Sequence, residues 1–330
     1  MVNRLLRPLV TAALALMLAP AAIPRTAAAA TITVTHYGAA FYGAPFAVAL
    51  KEGYFKKHNV DITGFLTSSG GGTTVRNTLA GGIPYGEVAL SAAVEAINAG
   101  QPLVIINGGV DTIADILWIA KPGSPLRSVK DLAGKRVGFT EPGSVTNMLI
   151  LMALQRAGMK PSDVKLVSVG GIGANLSAVL NGAIDTGMTG EPVWSENESK
   201  VQPVFWVKDV MPPQMMQSVG ITTRAYAKAH PEVLRGIIAA REDGVRFIYA
   251  HPNQAADIVA AAYHGNAELY RKVFHNFAAI HYWLEGELDY AGMNRMVEGL
   301  QIIGKQKGPV DWKKVVDTAF LPKDLQLKSK

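Results

Sequence analysis

The chain has 330 residues, 49% of them hydrophobic, a formal net charge of +6 and no cysteine. This length suffices for one large domain or for two lobes of ordinary size. The lack of cysteine excludes disulfides and lipid attachment through an N-terminal cysteine. The basic residues form no block of the kind that binds nucleic acid, so we expect no nucleic-acid partner.

The first 30 residues have the pattern of a secretory signal peptide. Two arginines precede an apolar run at 9–23, and small residues follow up to Ala30. The alternative is an uncleaved membrane anchor, but the run is shorter than the roughly 20 residues of a membrane span. Cleavage before Thr31 would remove three arginines and no acid, which lowers the net charge from +6 to +3. We therefore expect a periplasmic protein that is not lipid-anchored.

Beyond this segment the pattern begins with a strand, a helix and a second strand. Alternating β-prone residues predict strands at 31–38 and 60–67, with helical spacing between them. Gly53 is placed to end the helix, because glycine readily adopts the left-handed conformation found at helix ends. We expect Tyr54 and Phe55 to fold back under the sheet, while the two lysines that follow stay in water.

Strand and helix patterns continue to alternate up to Thr222. Predicted strands lie at 85–91 and 103–109, at a segment that ends near Thr140, and at 164–170. Such alternation predicts an α/β protein with mainly parallel sheets covered by helices. After Thr222 the pattern is helix after helix.

Two segments resemble each other inside the chain. "LAGGIPYG" at 79–86 and "LNGAIDTG" at 180–187 share Leu, Gly, Ile and Gly at matching places. Each follows a predicted helix and enters a short strand. We interpret the match as a trace of two similarly built lobes; a chance match of four small or aliphatic residues is the alternative.

Three motifs together resemble a known family. "AVALKEGYFKKHNVDI" at 47–62, "SVKDLAGKRVGFTEPGS" at 128–144 and "AVLNGAIDTG" at 178–187 are similar, in order and spacing, to substrate-binding proteins of ABC importers. The class is that of nitrate, sulfonate and taurine binders, which also includes binders of thiamine-pyrimidine precursors. The resemblance extends from Ile32 to about Leu321.

The resemblance implies a type II periplasmic binding fold, with two α/β lobes joined by two hinge crossings. We place the crossings near 118–122 and 218–223. Lobe 1 would then comprise 31–118 plus 222–330, and lobe 2 would comprise 119–221. The ligand would lie in the cleft between the lobes, which close around it.

This sequence departs from the family pattern in two places. The first copy has Pro84 where the second has Asp185, and we interpret such an acid as structural rather than ligand-binding. The loop "GAAFYGAP" also differs from the Gly-Tyr-Gln start that is associated with sulfonate binders, which weakens a specific prediction of a sulfonate.

Five loops are expected to form the binding site, because ligands of open α/β sheets lie beyond the carboxyl ends of the strands. The aromatic rings could stack on a flat ligand, and free N–H groups at helix N-termini favour an anion. The expected ligand-binding residues are Phe41, Tyr42, Ser69, Gly70, Ser91, Gly143, Ser144, Val145, Thr146, Glu191 and Trp194.

Several of these residues have an alternative, purely structural interpretation. Phe41 could pack in the core, Ser144 could be a plain helix cap, and Glu191 could cap the helix that starts at Pro192. Glu141 lies beside the best anion-binding loop and would repel an anion unless it points away or accepts a hydrogen bond from the ligand.

The motifs of common enzymes are missing from the sequence. No HxxxH or HExxH pair, G-x-S-x-G elbow or P-loop is present. These absences count against an enzyme, and the resemblance implies a carrier, which we expect to be a monomer with no metal or cofactor. It would take a small organic anion, such as a sulfonate or a carboxylate, to an ABC permease. A pyrimidine-type ligand is the alternative within the class, and an enzyme of the same fold is the alternative from another class.

Overall fold

The computed structural model describes residues 30–329. The predicted signal peptide lies outside the described residues, apart from its last residue, Ala30. Within 30–329, none of the helices combines the length and the apolar character that crossing a bilayer requires.

Ten strands and fifteen α-helices follow one another along the described chain. The strands are β1 Ala30–Thr35, β2 Ile62–Ser68, β3 Gly86–Ala89, β4 Leu103–Gly108, β5 Leu117–Ala120, β6 Arg136–Phe139, β7 Lys165–Ser168, β8 Gly187–Thr189, β9 Gln202–Trp206 and β10 Ser218–Thr223. The helices of the first part are α1 Ala44–Lys51, α2 Tyr54–Lys57, α3 Gly71–Leu79, α4 Leu90–Asn98, α5 Val145–Arg156, α6 Ile172–Asn181, α7 Val193–Asn197 and α8 Val207–Val210. Those of the last part are α9 Arg224–Ala229, α10 Pro231–Ala250, α11 Pro252–Tyr263, α12 Ala267–Ala279, α13 Tyr290–Ile302, α14 Trp312–Val315 and α15 Lys323–Lys328.

The strands form two sheets with the same order. The first sheet runs β2-β1-β3-β10-β4. In the second part of the chain, β8-β5-β9 form one ladder and β6-β7 another, and a bridge between Val137 and Thr186 joins β6 to the start of β8. The combined order is β7-β6-β8-β5-β9, so each strand of the second sheet has a counterpart in the first.

In each sheet four strands run in one direction and one strand runs against them, which agrees with the mainly parallel sheets that the sequence predicted. β1 pairs in parallel with β2 and β3, and β6 pairs in parallel with β7. β10 is antiparallel to β3 and β4, and β5 is antiparallel to β8 and β9. The antiparallel strands are those that enter each sheet from the other half of the chain. The α/β class with mainly parallel sheets is confirmed, and each sheet contains one reversed strand.

The segments predicted as hinge crossings are themselves strands. β5 lies wholly in the second sheet and β10 wholly in the first. The chain passes between the two sheets at 109–116 and at 207–217, and we refer to these two segments as the crossings. The two crossings run beside each other, since Gln217 N donates to Val110 O at 2.7 Å and Ile113 N donates to Pro213 O at 2.9 Å.

The first helix ends where the sequence predicts it. Gly53 has a φ of +74° and separates α1 from the short helix α2. Phe55 is buried next to Phe65 and joins the core beneath the first sheet. Tyr54 is only half-buried, with its ring near Phe247 of α10. The two lysines of α2 are exposed.

The two similar segments occupy corresponding places, each joining a helix to the third strand of its sheet. Gly86 begins β3 and Gly187 begins β8. Just before β8, Asp185 accepts hydrogen bonds from the backbone N of Arg136 at 2.7 Å and from its Nη2 at 2.7 Å. This pairing ties β6 to the start of β8, and Asp185 is therefore a structural acid, as predicted.

A buried ion pair lies behind the crossings in the first sheet. Glu87 of β3 and Arg241 of α10 are both fully buried, with 3.5 Å between Arg241 Nε and Glu87 Oε2. Glu87 also accepts hydrogen bonds from Tyr85 at 2.8 Å and from Ser218 at 2.8 Å. Arg241 Nη2 donates to the carbonyl of Gly109 at 3.0 Å. The network joins β3, β10 and α10 to the start of the first crossing.

The C-terminal helices reach across to the second half of the molecule. α13 packs against both α4 and α5. Gly299 allows this close approach, because a β-carbon there would lie 3.0 Å from Met148 Cβ and 3.1 Å from Met152 Sδ. Residues 145–154 of α5 are buried throughout, since one side of the helix faces its own sheet and α13 helps to cover the other.

Candidate functional site

A cavity lies between the two sheets, at the ends of their strands. About 560 Å³ of space lies between the surrounding atoms, and this figure includes space that is open to solvent at the mouth. Most of its lining is apolar. The lining residues are Thr35, His36, Ala40, Tyr42, Gly70, Gly71, Ala89, Asp115, Ile116, Thr140, Ser144, Val145, Thr146, Ile172, Met188, Gly190 and Glu191.

Six of the eleven residues proposed from the sequence line this cavity. They are Tyr42, Gly70, Ser144, Val145, Thr146 and Glu191. Gly143 lines a neighbouring groove between α3, α4 and the loop that precedes α5. Ser69 is exposed at the rim, with its Oγ 3.5 Å from Glu141 Oε1.

Phe41 lies in the core and not in the cavity. Its side chain is fully buried, and its ring packs edge-to-face on Tyr270, Phe274 and Phe277 of α12. The structural alternative is therefore the correct interpretation of this residue. The aromatic side chain that faces the cavity is its neighbour Tyr42.

Ser91 and Trp194 also lie away from the cavity lining. Ser91 is fully buried at the start of α4, and its Oγ has no hydrogen-bond partner within residues 30–329. Trp194 packs against Trp206 with 5.7 Å between ring centroids. Both follow strands whose ends do reach the cavity, through Ala89 and Gly190.

The N-terminus of α5 presents polar groups to the cavity. Ser144 Oγ accepts a hydrogen bond from Asn147 N at 3.1 Å and thereby caps the helix. The hydroxyls of Thr140, Ser144 and Thr146 lie within 3.0 Å of one another. In the described chain, the backbone N–H groups of Val145 and Thr146 donate to no other backbone carbonyl. These groups could bind an acceptor on a ligand.

The N-terminus of α3 is approached by an acid from the second half of the chain. A β-carbon on Gly70 would lie 2.6 Å from Glu141 Oε2. No side chain caps α3, whose N-cap residue is Gly70. A carboxylate is favourable at this end of a helix because of the exposed N–H groups and the helix dipole. Glu141 therefore brings the loop before α5 next to the N-terminus of α3, beside the neighbouring groove.

A hydrogen-bonded relay forms the floor of the cavity, and the sequence analysis did not find it. Tyr42 donates to Gln217 Oε1 at 2.5 Å, and Gln217 Nε2 donates to Asp115 Oδ1 at 2.7 Å and to the carbonyl of Thr112. Tyr282 donates to Asp115 Oδ2 at 3.0 Å. Asp115 and Gln217 lie on the two crossings, so the relay links them.

The electrostatic character of the cavity is acidic. Burial raises the pKa of Asp115 to about 6, although the hydrogen bonds from Gln217 and Tyr282 oppose the shift. Burial also raises the pKa of Glu191, whose carboxylate accepts a hydrogen bond from Ser195 Oγ at 2.9 Å. Burial lowers the pKa of His36 to about 4, so this imidazole is neutral at pH 7. The lining includes no lysine and no arginine.

Ser195 also shows that Glu191 has the structural role that was its alternative. The backbone N of Ser195 lies 3.3 Å from Glu191 Oε2, as expected for an acid at the start of α7. Glu191 lines the cavity at the same time. The two roles are compatible, because each carboxylate oxygen can accept more than one hydrogen bond.

Comparison with known proteins identifies relatives over most of the chain. The family model described as "NMT1/THI5 like" matches residues 40–255. A Brucella abortus protein that carries the name of a binding protein, BAB2_1146, is 28% identical over 254 residues, which is 75% of this chain and 76% of the relative.

Solved structures share the fold at lower identity. The alkanesulfonate-binding protein SsuA from Xanthomonas axonopodis pv. citri, bound to MOPS, has a TM-score of 0.73 and 15% identity over 88% of this chain and 98% of that protein. The desulfurization enzyme DSZB has a TM-score of 0.63 and 14% identity over 91% of this chain and 99% of that protein. At these identities the likeness establishes the fold alone.

Proposed function

Because the chain belongs to the NMT1/THI5-like family, we propose that it is a solute-binding protein that delivers a small organic molecule to an ABC importer. The observation that carries this proposal is the position of the cavity. It lies between two sheets of equal strand order, beneath loops from both, and the first crossing lines it through Asp115 and Ile116. A ligand in this position contacts both halves of the molecule and favours their closure.

The proposed lobes are built on the two sheets. The first sheet with the C-terminal helices forms lobe 1, and the second sheet forms lobe 2, joined by the crossings 109–116 and 207–217. These crossings replace the predicted segments 118–122 and 218–223. Closure of the lobes would present a surface to the permease, and the site of action would be the periplasm after removal of residues 1–30.

Two ligand classes have support from particular groups in the cavity. A pyrimidine-type or other hydrogen-bond-donating ring is favoured by the carboxyl groups of Asp115 and Glu191, by Tyr42 and by the absence of cations in the lining. An organic anion, such as a sulfonate or a carboxylate, is supported by the N–H groups of Val145 and Thr146. Since a ligand anion near two carboxylates is repelled, the donor class has the stronger support.

A thermal-shift screen tests the carrier function. The protein without residues 1–30 is heated with sulfonates, nitrate, aromatic acids and pyrimidines, and its Tm is recorded. A ligand that binds only the folded protein stabilises it by RT ln(1 + [L]/Kd). We expect a clear rise in Tm with one class and return of the unchanged compound after denaturation.

Two outcomes would count against the proposal. Chemical conversion of the bound compound would favour an enzyme of the same fold. No shift with any compound, together with no co-purified small molecule in the mass spectrum of the denatured protein, would contradict a binding function.

A further inference from the structure

Asp115 is a buried carboxylate that lacks a positive partner. Its exposed fraction is 7%, and it lines the cavity from the first crossing. Its hydrogen-bond donors are neutral: the side chains of Gln217 and Tyr282 and its own backbone N–H. No lysine, arginine or histidine of residues 30–329 forms an ion pair with it. The negative charge of Glu191 instead contributes to raising its pKa.

Such an arrangement is unfavourable for the empty protein. A buried charge is costly unless it is paired and fully hydrogen-bonded. A carboxylate offers about four acceptor positions, and the relay fills one on each oxygen of Asp115. The raised pKa of Asp115 agrees with this incomplete compensation. Since Asp115 lines the cavity, a ligand there is the group that could use the remaining acceptor capacity.

The relay holds the carboxylate in place. Gln217 cannot turn its amide without losing its contacts with Tyr42 and with the carbonyl of Thr112. Tyr282 is fully buried and stacks on Phe277 with 3.9 Å between ring centroids. Burial keeps both tyrosines protonated, since their pKa values are raised well above the ordinary value. The acceptor positions of Asp115 are therefore fixed before a ligand arrives.

We propose that Asp115 determines ligand specificity by accepting a hydrogen bond from an amino or amidine nitrogen of a flat, mostly apolar ligand. This inference rests on the proposed binding function. Ile116, Val145, Ile172 and Met188 supply the apolar walls for such a ring. A carboxylate or sulfonate at the same position would instead leave two anions side by side.

Benzamidine and benzoate form a matched pair of probes. They share a phenyl ring, but the amidine group of benzamidine donates hydrogen bonds, whereas the carboxylate of benzoate accepts them. Calorimetric titration of the ligand-free protein at pH 7.5, a chosen working value, measures both affinities. A charged hydrogen bond contributes enough for roughly tenfold or greater preference. We expect benzamidine to bind at least about tenfold more tightly than benzoate.

The variant Asp115→Asn is expected to lose that preference, because it keeps the shape and one acceptor but removes the charge. Asp257→Asn is the matched control, since Asp257 is an exposed acid paired with Arg271 on α11 and α12. This control should keep the preference of the unaltered protein. If Asp115→Asn does not fold, Tyr282→Phe replaces it and should weaken benzamidine binding while leaving benzoate binding unchanged.

The outcomes separate this inference from the binding function itself. Tighter binding of benzoate, equal binding of the two probes, binding of neither, or a preference that survives Asp115→Asn would overturn the role of Asp115. In each case, a Tm rise with any compound of the wider screen would leave the carrier function standing. Only the failure of both experiments would contradict both proposals.

Discussion

The two sheets share one strand order but place their charges in opposite positions. In the first, Glu87 of β3 is buried and pairs with Arg241. At the corresponding position of β8 the second sheet has Met188, which lines the cavity. The second sheet carries its acid three residues earlier, as the half-exposed Asp185, where the first has Pro84. One backbone plan thus supports a charged network behind the crossings in one copy and an apolar cavity wall in the other.

The largest expected effect comes from breaking the buried pair. Arg241→Met should lower the free energy of unfolding by about 3–5 kcal/mol, because it leaves Glu87 buried and without a cation. Urea unfolding followed by circular dichroism measures the loss. A loss below about 1 kcal/mol would mean that water reaches Glu87 in the variant, and the contrast between the two copies would then be smaller than the structure indicates.

Asp115, on the crossing between the two sheets, should have a smaller effect on stability, and this effect should depend on pH. Burial raises the pKa of Asp115 from its ordinary 3.8 to about 6. Its contribution to stability is therefore fully present below pH 4 and is lost as the pH rises through about 6. Asp115→Asn cannot ionise, so it should be more stable than the unaltered protein at pH 8, by up to about 3 kcal/mol, and should show no such gain at pH 4.

Comparing the free energy of unfolding of variant and parent at these two pH values isolates the contribution of Asp115. The raised pKa values of Asp111, about 8, and Glu242, about 7, act in the same direction. The lowered pKa of His36, about 4, acts in the opposite direction, since its stability contribution is lost as the pH falls below its ordinary value of 6.5. All three groups are common to both proteins and cancel in the difference. Equal stability at both pH values would show that Asp115 is well compensated.

The helix N-termini on the two sides of the cavity offer a third contrast. α5 is capped by Ser144, whereas α3 begins after Gly70 without a side-chain cap. Ser144→Ala should cost about 1 kcal/mol of stability, as for other N-cap residues, and Ser144→Thr should restore most of it. Ser144→Leu should in addition abolish ligand binding by filling the cavity. Chemical denaturation and the thermal-shift assay measure these two effects separately.

The smallest effect is expected for the acid of the second copy. Asp185→Asn removes the ion pair with Arg136, whose side chains are 33% and 42% exposed, and should cost about 0.2–1 kcal/mol because solvent screens the pair. Measurement at low and high salt provides the check. A loss as large as that of Arg241→Met would show that position on the sheet, and not burial, sets the energy of these pairs.

The sequence predicted the scaffold well and the cavity floor poorly. Hydrophobic periodicity located β1, β2, β4 and β7 to within a few residues, and Gly53 marked the end of α1, because these signals are local. Phe41 and Trp194 show the limit of such signals, since an aromatic residue in a loop can turn to the core or to the ligand. Which way it turns depends on helices such as α12, more than 200 residues away in the chain.

The relay around Asp115 could not have been found from spacing. Its members Tyr42, Asp115, Gln217 and Tyr282 come from four separate parts of the chain, and they meet only because the two crossings run side by side. The crossings predicted from the sequence begin a few residues after Asp115, so they did not direct attention to this acid.

The packing of α13 on α5 limits when this part of the molecule can fold during synthesis. During synthesis α5 emerges long before α13, so its methionine-rich outer side stays uncovered until nearly the whole polypeptide has been made. A nascent chain that stops before residue 290 would expose this surface and aggregate. The contact between α5 and α13 can therefore form only after about nine tenths of the chain has been made.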